Sequence, residues 1–255
     1  MPTADLILKN ANVITMAAAQ PTAEMVAVKG KRTREIDCQG KTVAPGFNDA
    51  HCHIFSFIRK LLSLDLSPAS VKSISDIKAV IRQRVQNIPR GEWLSATGYN
   101  EFYLAEKRHP TRWDIDEVAP QHPVVLAHRS LHACVLNSLA LSRAGITRET
   151  AEPPGGRIDR DPTTGEPTGL LFEMLGYIRE RVMPPLSETD ILAGVSRANQ
   201  HYLSLGITSL QDATVVNDVA RWQTFRRFKD SGKLKSRLYM MFGAEALAGF
   251  REQGL

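Results

Sequence analysis

The residues best suited to chemistry in this 255-residue chain are His51 and His53, separated by Cys52. In an extended strand, residues two apart point to the same side. Two imidazoles so placed can grip one divalent ion, and imidazole suits zinc, iron, nickel and related metals. The flanks sharpen the pattern. Gly46, after Pro45, allows a tight lead-in to such a strand, and Asp49 is placed to orient the local backbone or a ligand. Cys52 falls on the opposite side, which suits packing better than ligation.

The elements that must position this pair begin with strands and turns. Leu6 to Met16 alternates apolar and polar residues in part, Met25 to Val28 is a short apolar run, and Arg34 to Val43 turns at Gln39-Gly40. These are strand signals with turn punctuation. A strand running into a loop then carries residues 45–53. A helix is expected from about Ser73 to Ile88, with Ser73 as N-cap and Ile77, Ile81, Val85 and Ile88 on one face. Trp93 to Tyr99 and Pro123 to His128 read as strands, Leu136 to Ala144 as a helix ended by Gly145. Glu152 to Pro167 reads as an exposed loop or hairpin and Leu170 to Val182 as a helix. Ser187 caps a further helix whose expected buried stripe is Ile191, Val195, Ala198, Tyr202 and Leu205. A strand (Ile207 to Gln211), a helix (Asn217 to Lys229), a strand (Arg237 to Phe242) and a last helix from Ala244 follow. Helix and strand alternating with short links indicate a parallel α/β sheet or barrel.

Composition narrows the function classes. Hydrophobic residues at 43% and charged residues at 23% fit a soluble globular protein. The net charge of +5 is spread along the chain without a basic block, which gives no reason to expect a nucleic-acid partner. Three cysteines, an odd number without framework spacing, argue for a reducing compartment. Met1 to Asp5 does not open a signal segment, and no apolar stretch approaches membrane-spanning length. The expectation is a cytoplasmic chain with no membrane partner.

VAPGFNDAHCH (43–53) is similar to the PGF-x-DAH-x-H signature of the amidohydrolase superfamily. LILKNANVITM (6–16), IDCQGKTVAPGF (36–47), HACVLNSLALSRAGI (132–146), GRIDRDPTTGEPTGLLFE (156–173) and LGITSLQDA (205–213) resemble segments of amidohydrolase family 3, the YtcJ-like hydrolases, in family order and over nearly the whole chain. The resemblance implies an α/β fold: a distorted TIM-type (β/α)8 barrel, incomplete in this chain, with a small β-sandwich portion. Residues 1–44 would belong to the sandwich and 45–255 to the barrel, with a large insertion at about 54–186. It implies hydrolysis of a carbon–nitrogen bond, amide-type and non-peptide, by a metal-activated water. His51 and His53 would bind the divalent metal, zinc foremost, with iron and manganese as alternatives. The substrate would be a small amide-type molecule, and homodimers are common among such relatives.

The same resemblance draws attention to His132 and Glu173 as candidate catalytic residues. The branch carries Asp-Gly-His where this chain has Ser130-Leu131-His132. Two readings of His132 stand: a residue lining the substrate pocket, or a helix-start histidine with ordinary hydrogen bonds. Glu173 either reaches metal or substrate or is a surface helical glutamate. Asn137 and Ser138 read as helix caps, and Asp212, after Gln211, ends a barrel strand on the site side. His109, His122, His128 and His201 show no constellation in the sequence. Two departures bear on the expectation. Leu255 precedes the segments that supply the family's later ligands, and catalytic zinc sites use three protein ligands. The stretch KGKRTREID (29–37) lacks a strand and connection that the family places there. An incomplete metal site is therefore expected, and a truncated or degenerate non-catalytic homologue with a regulatory or interaction role is the alternative.

Overall fold

The computed structural model describes residues 4, 6–29 and 34–255. The reading of 29–37 falls partly outside them, at 30–33, as does most of the Met1 to Asp5 segment.

Among the described residues, the chain opens with strands β1 (Leu6–Lys9), β2 (Asn12–Ala17), β3 (Gln20–Ala23), β4 (Val26–Val28), β5 (Arg34–Asp37), β6 (Thr42–Val43) and β7 (Phe47–Cys52). Leu6 to Met16 is thus two strands, broken where Asn10 adopts a left-handed φ of 54°. Next come α1 (Ile54–Leu62), β8 (Leu64–Asp65), α2 (Ile74–Val85), β9 (Leu94–Tyr99), α3 (Arg112–Asp116), β10 (Val124–His128), β11 (Ala133–Leu136), α4 (Ser138–Arg143), β12 (Arg157–Arg160), β13 (Pro167–Phe172) and α5 (Leu175–Tyr177). The chain closes with α6 (Glu188–Ser204), β14 (Ile207–Asp212), α7 (Val219–Asp230), β15 (Arg237–Met240) and α8 (Leu247–Glu252). The fold is mixed α/β. No described helix is long and apolar enough to cross a membrane.

The chain divides into two compact units. The first comprises residues 1–52, 199–229 and 235–255, the second 53–198 and 230–234. The first unit holds three three-stranded sheets, ordered β4-β1-β5, β3-β2-β6 and β15-β14-β7. In the last sheet both pairings are parallel, and Asp212 lies opposite both Cys52 and Met240, so the three carboxyl ends are level. Among the described residues this sheet is open and no barrel closes.

The second unit is built on a six-stranded sheet, β12-β13-β11-β10-β9-β8. Its central strands are continuous apolar runs because both faces are buried. Val124 and Leu126 of β10 pack with Ile74, Ile77 and Ile81 of α2 on one face. Val125 and Ala127 pack with Ala140, Leu141 and Ile178 on the other. Ser73 caps α2 by accepting from the Asp76 amide, and Ser187 accepts from the Asp190 amide before α6, as their spacing predicts. Of the stripe expected on α6, Val195, Ala198 and Tyr202 are buried and Leu205 is exposed.

Two expectations fail here. Leu136 to Ala144 is not one helix: β11 runs to Leu136, Asn137 is the N-cap, and α4 starts at Ser138. Leu170 to Val182 is not a helix throughout, because Leu170 to Phe172 completes β13 and only the residues from Leu175 are helical. Antiparallel pairing of β13 with both β11 and β12 overrides the local helical preference of that segment.

Candidate active site

His51 stands near the end of β7, and His53 is the N-cap of α1, its carbonyl accepting from Phe57 N–H at 2.9 Å. Both histidines are exposed and Cys52 between them is buried, as period-2 alternation requires. The Cys52 thiol donates to the Gln211 carbonyl at 3.3 Å. Burial, then the charges of Asp49 and Asp212, pushes that thiol up to about 12, so it stays protonated and packs. Asp49 accepts from His51 N–H at 3.2 Å and thereby braces the histidine's backbone. Gly46 has a steric reason: a Cβ there would collide with the Thr208 hydroxyl. The close β7–β14 pairing, Phe47 opposite Ile207, depends on that missing side chain.

Two exposed imidazoles at the end of a parallel strand suit a divalent ion as donors. A catalytic zinc site uses three protein ligands, of which such a pair would supply two. Among the described residues, no group of three or more His, Cys, Asp or Glu is gathered to hold a metal. Asp212 is fully buried; its Oδ1 accepts from Thr214 N–H at 3.1 Å and from Asn217 Nδ2 at 2.8 Å. Its observed bonds shape the turn after β14.

His132 and Glu173 meet. Their sequence separation is spanned by the β11–β13 ladder, which puts Glu173 N–H on the His132 carbonyl at 2.7 Å. The His132 Nδ1 lies 2.9 Å from Glu173 Oε1 and 3.1 Å from Oε2. A carboxylate only accepts, so Nδ1 carries the proton and Nε2 is left as an acceptor when the ring is neutral. Neither residue is on a helix, contrary to the plainer reading of each: His132 leads into β11, and Glu173 follows β13 with a left-handed φ of 56°. Leu131, beside His132, also has a left-handed φ, 64°. Non-glycine residues in that region are sparse and gather at functional sites.

A second cluster was not legible in the sequence. Glu101 sits between two histidines, with Oε2 3.0 Å from His128 Nε2 and Oε1 3.6 Å from His109 Nε2. The Tyr99 hydroxyl is 3.0 Å from His109 Nδ1. His109 and His128 therefore do belong to a constellation, assembled from β9, the turn after it and β10. His122 is buried against the Glu92 carbonyl at 3.3 Å, and His201 is exposed with its ring 6.3 Å from Tyr202. Asn137 caps α4 as expected, and its amide also ties down β10 and the chain before it. Ser138 is held by Asp116, which accepts from its amide at 3.0 Å and its hydroxyl at 2.5 Å.

Comparison with known proteins adds the family. The sequence profile of the amidohydrolase family matches residues 34–255. N-substituted formamide deformylase of Arthrobacter pascens is 33% identical over 272 residues, covering 98% of this chain and 49% of that protein. YtcJ of Bacillus subtilis (strain 168) is 32% identical, covering 84% of this chain and 41% of that protein. An uncharacterized metal-dependent hydrolase from Pyrococcus furiosus has a similar fold, with a TM-score of 0.70 at 23% identity, over 98% of this chain and 52% of that one. The chain spans about half the length of the relatives it matches.

Proposed function

This chain belongs to the amidohydrolase family, and from that premise we propose that it is part of a metal-dependent hydrolase acting on a carbon–nitrogen bond of a small, non-peptide amide. The observation that carries the reading is the exposed His51/His53 pair, on either side of buried Cys52, at the level carboxyl ends of β7, β14 and β15. Active sites of (β/α)8 barrels lie at that end of their strands, and such a barrel, with an insertion at about 54–186, is the architecture we assign to the longer protein. His51 and His53 would hold a divalent ion, zinc before iron or manganese on the chemistry of two imidazole donors. When bound, such an ion acidifies water and polarises a carbonyl.

His132 and Glu173 are proposed as the proton-handling pair. With Nδ1–H fixed on the carboxylate, the exposed Nε2 can take a proton from substrate or water, and Glu173 stabilises the imidazolium that results. The relative from Arthrobacter is named for N-substituted formamides, which supports an amide-type substrate of modest size. A cytoplasmic setting follows from the cysteine usage. The non-catalytic alternative is favoured by Ser130, which stands where the resemblance leads one to expect an aspartate.

Metal content by elemental mass spectrometry, after removal of loose ions, tests the reading. Stoichiometric zinc, iron or manganese in the wild type, lost in the His51→Ala/His53→Ala double variant, is the expected result. A folded wild type without bound metal, or equal metal in the variant, refutes the claim that His51 and His53 hold the ion in this chain.

A further inference from the structure

The turn that carries His132 is held from behind by a group with no part in the proposed chemistry. His128 Nδ1 receives two hydrogen bonds from Ser130, one from the hydroxyl at 2.7 Å and one from the amide at 3.2 Å. The same hydroxyl oxygen accepts from the His132 amide at 3.2 Å. Leu131 closes the turn, donating to the His128 carbonyl at 3.0 Å. Since Nδ1 accepts, the His128 proton sits on Nε2, the atom that faces Glu101 Oε2 at 3.0 Å. Both of those atoms are buried and their approach lacks hydrogen-bond alignment. Glu101 thus acts by charge on a ring clamped between it and Ser130. The ring stacks edge-on against Tyr99, at 5.3 Å between centroids, and against His109, at 5.9 Å.

We propose that His128 is the positioning residue of the His132–Glu173 pair, acting through the Ser130 hydroxyl, with Glu101, His109 and Tyr99 holding its ring. The inference rests on reading that pair as the proton-handling one. It also gives Ser130 a task, since a serine oxygen can donate to His128 and accept from His132 at once. The arrangement requires a neutral His128. Burial lowers its pKa, the nearby positive charges of His109 and Arg129 act in the same direction, and Glu101 opposes them without winning. The proton on Nε2 and the lone pair on Nδ1 are therefore kept to a lower pH than in an ordinary histidine.

Two substitutions separate positioning from packing. In His128→Asn the amide oxygen can take the place of Nδ1, whereas in His128→Gln the amide reaches the Nε2 side and leaves Ser130 without its acceptor. The readout is the pair of imidazole 15N shifts of His132, measured in mildly alkaline buffer in wild type and both variants. Wild type and His128→Asn are expected to show His132 in the Nδ1–H form, and His128→Gln the ordinary mixture of an exposed histidine. Unchanged His132 shifts in His128→Gln overturn the proposal. So does equal loss in both variants, which would mean lost packing only. In the hydrolase assay His128→Gln should lower kcat by roughly 10–100-fold with KM unchanged, the scale of a misplaced reacting group. Absence of activity in every form would refute the functional reading and leave the 15N comparison to judge the positioning.

Discussion

Replacing Asn137 with alanine should destabilise the second unit severely. The side chain is fully buried, and its four polar contacts join three pieces of chain. Oδ1 accepts from Val124 N–H at 2.9 Å and Ala140 N–H at 3.1 Å, while Nδ2 donates to the carbonyls of Ala119 at 3.0 Å and His122 at 2.9 Å. The Ala119 carbonyl keeps a bond from His122 N–H at 3.3 Å. The other three groups lose these contacts in a dry interior. At about 1–3 kcal/mol for each unsatisfied group, the loss comes to roughly 3–9 kcal/mol, a large share of the ~5–15 kcal/mol that holds a domain together. Asn137→Asp should be as harmful, because it keeps the acceptor and turns a second oxygen on two carbonyls. The assay is equilibrium urea unfolding followed by tryptophan fluorescence in a Trp222→Phe background, which leaves Trp93 and Trp113 as reporters of the second unit. A loss below about 1 kcal/mol in either variant would refute this account, since such a value belongs to an exposed cap.

Asp114 should govern part of the acid limb of stability. Burial raises its pKa, but a two-pronged bond from Arg108, at 2.7 and 3.0 Å, and the Thr111 amide and hydroxyl outweigh that and hold it at about 2. A depressed carboxylate stabilises above its unfolded value of 3.8 and loses that contribution as pH falls toward 2; Asp114→Asn should flatten this part of the melting-temperature profile, and parallel profiles would count against the assignment. Leu131→Gly should be neutral or stabilising by up to about 1 kcal/mol, opposite to the usual sign, because φ is 64° there and only glycine adopts it without strain. Chemical denaturation decides, and a loss beyond about 1 kcal/mol would mean that the exposed leucine side chain has a packing role.

What could be read from the sequence was local. The alternation around Cys52, the caps at Ser73 and Ser187 and the stop at Gly145 each depend on a few neighbouring residues, and the structure reproduces them. The misread segments are those whose state is set at a distance. LLFEMLGYIRERV (170–182) is rich in good helix formers, yet its first three residues pair with β11 and β12. Gly169 marks the conflict, since φ is 96° and a Cβ there would strike the Leu136 carbonyl. The Glu101–His109–His128 cluster was equally out of reach, because its members come from separate turns and strands that only the folded sheet brings together.

The candidate catalytic pair follows from the same long-range pairing that defeated the local reading. Ala133 lies opposite Phe172, so the next residues outward, His132 and Glu173, must also lie opposite each other. A slip of one residue would part them and would also turn Val135 and Leu171 from one buried face to the other. Both faces are packed, with Val135 in one core and Leu171 in the other, so that slip is strongly opposed. Beyond the ladder's end the backbone leaves the sheet through left-handed turns at Leu131 and Glu173. Register fixes where the imidazole and carboxylate meet, and the Ser130–His128 bonds fix how the imidazole is presented. Glycine would meet the left-handed φ at position 131 without strain, whereas here the hydrogen bonds to His128 must hold a leucine in it.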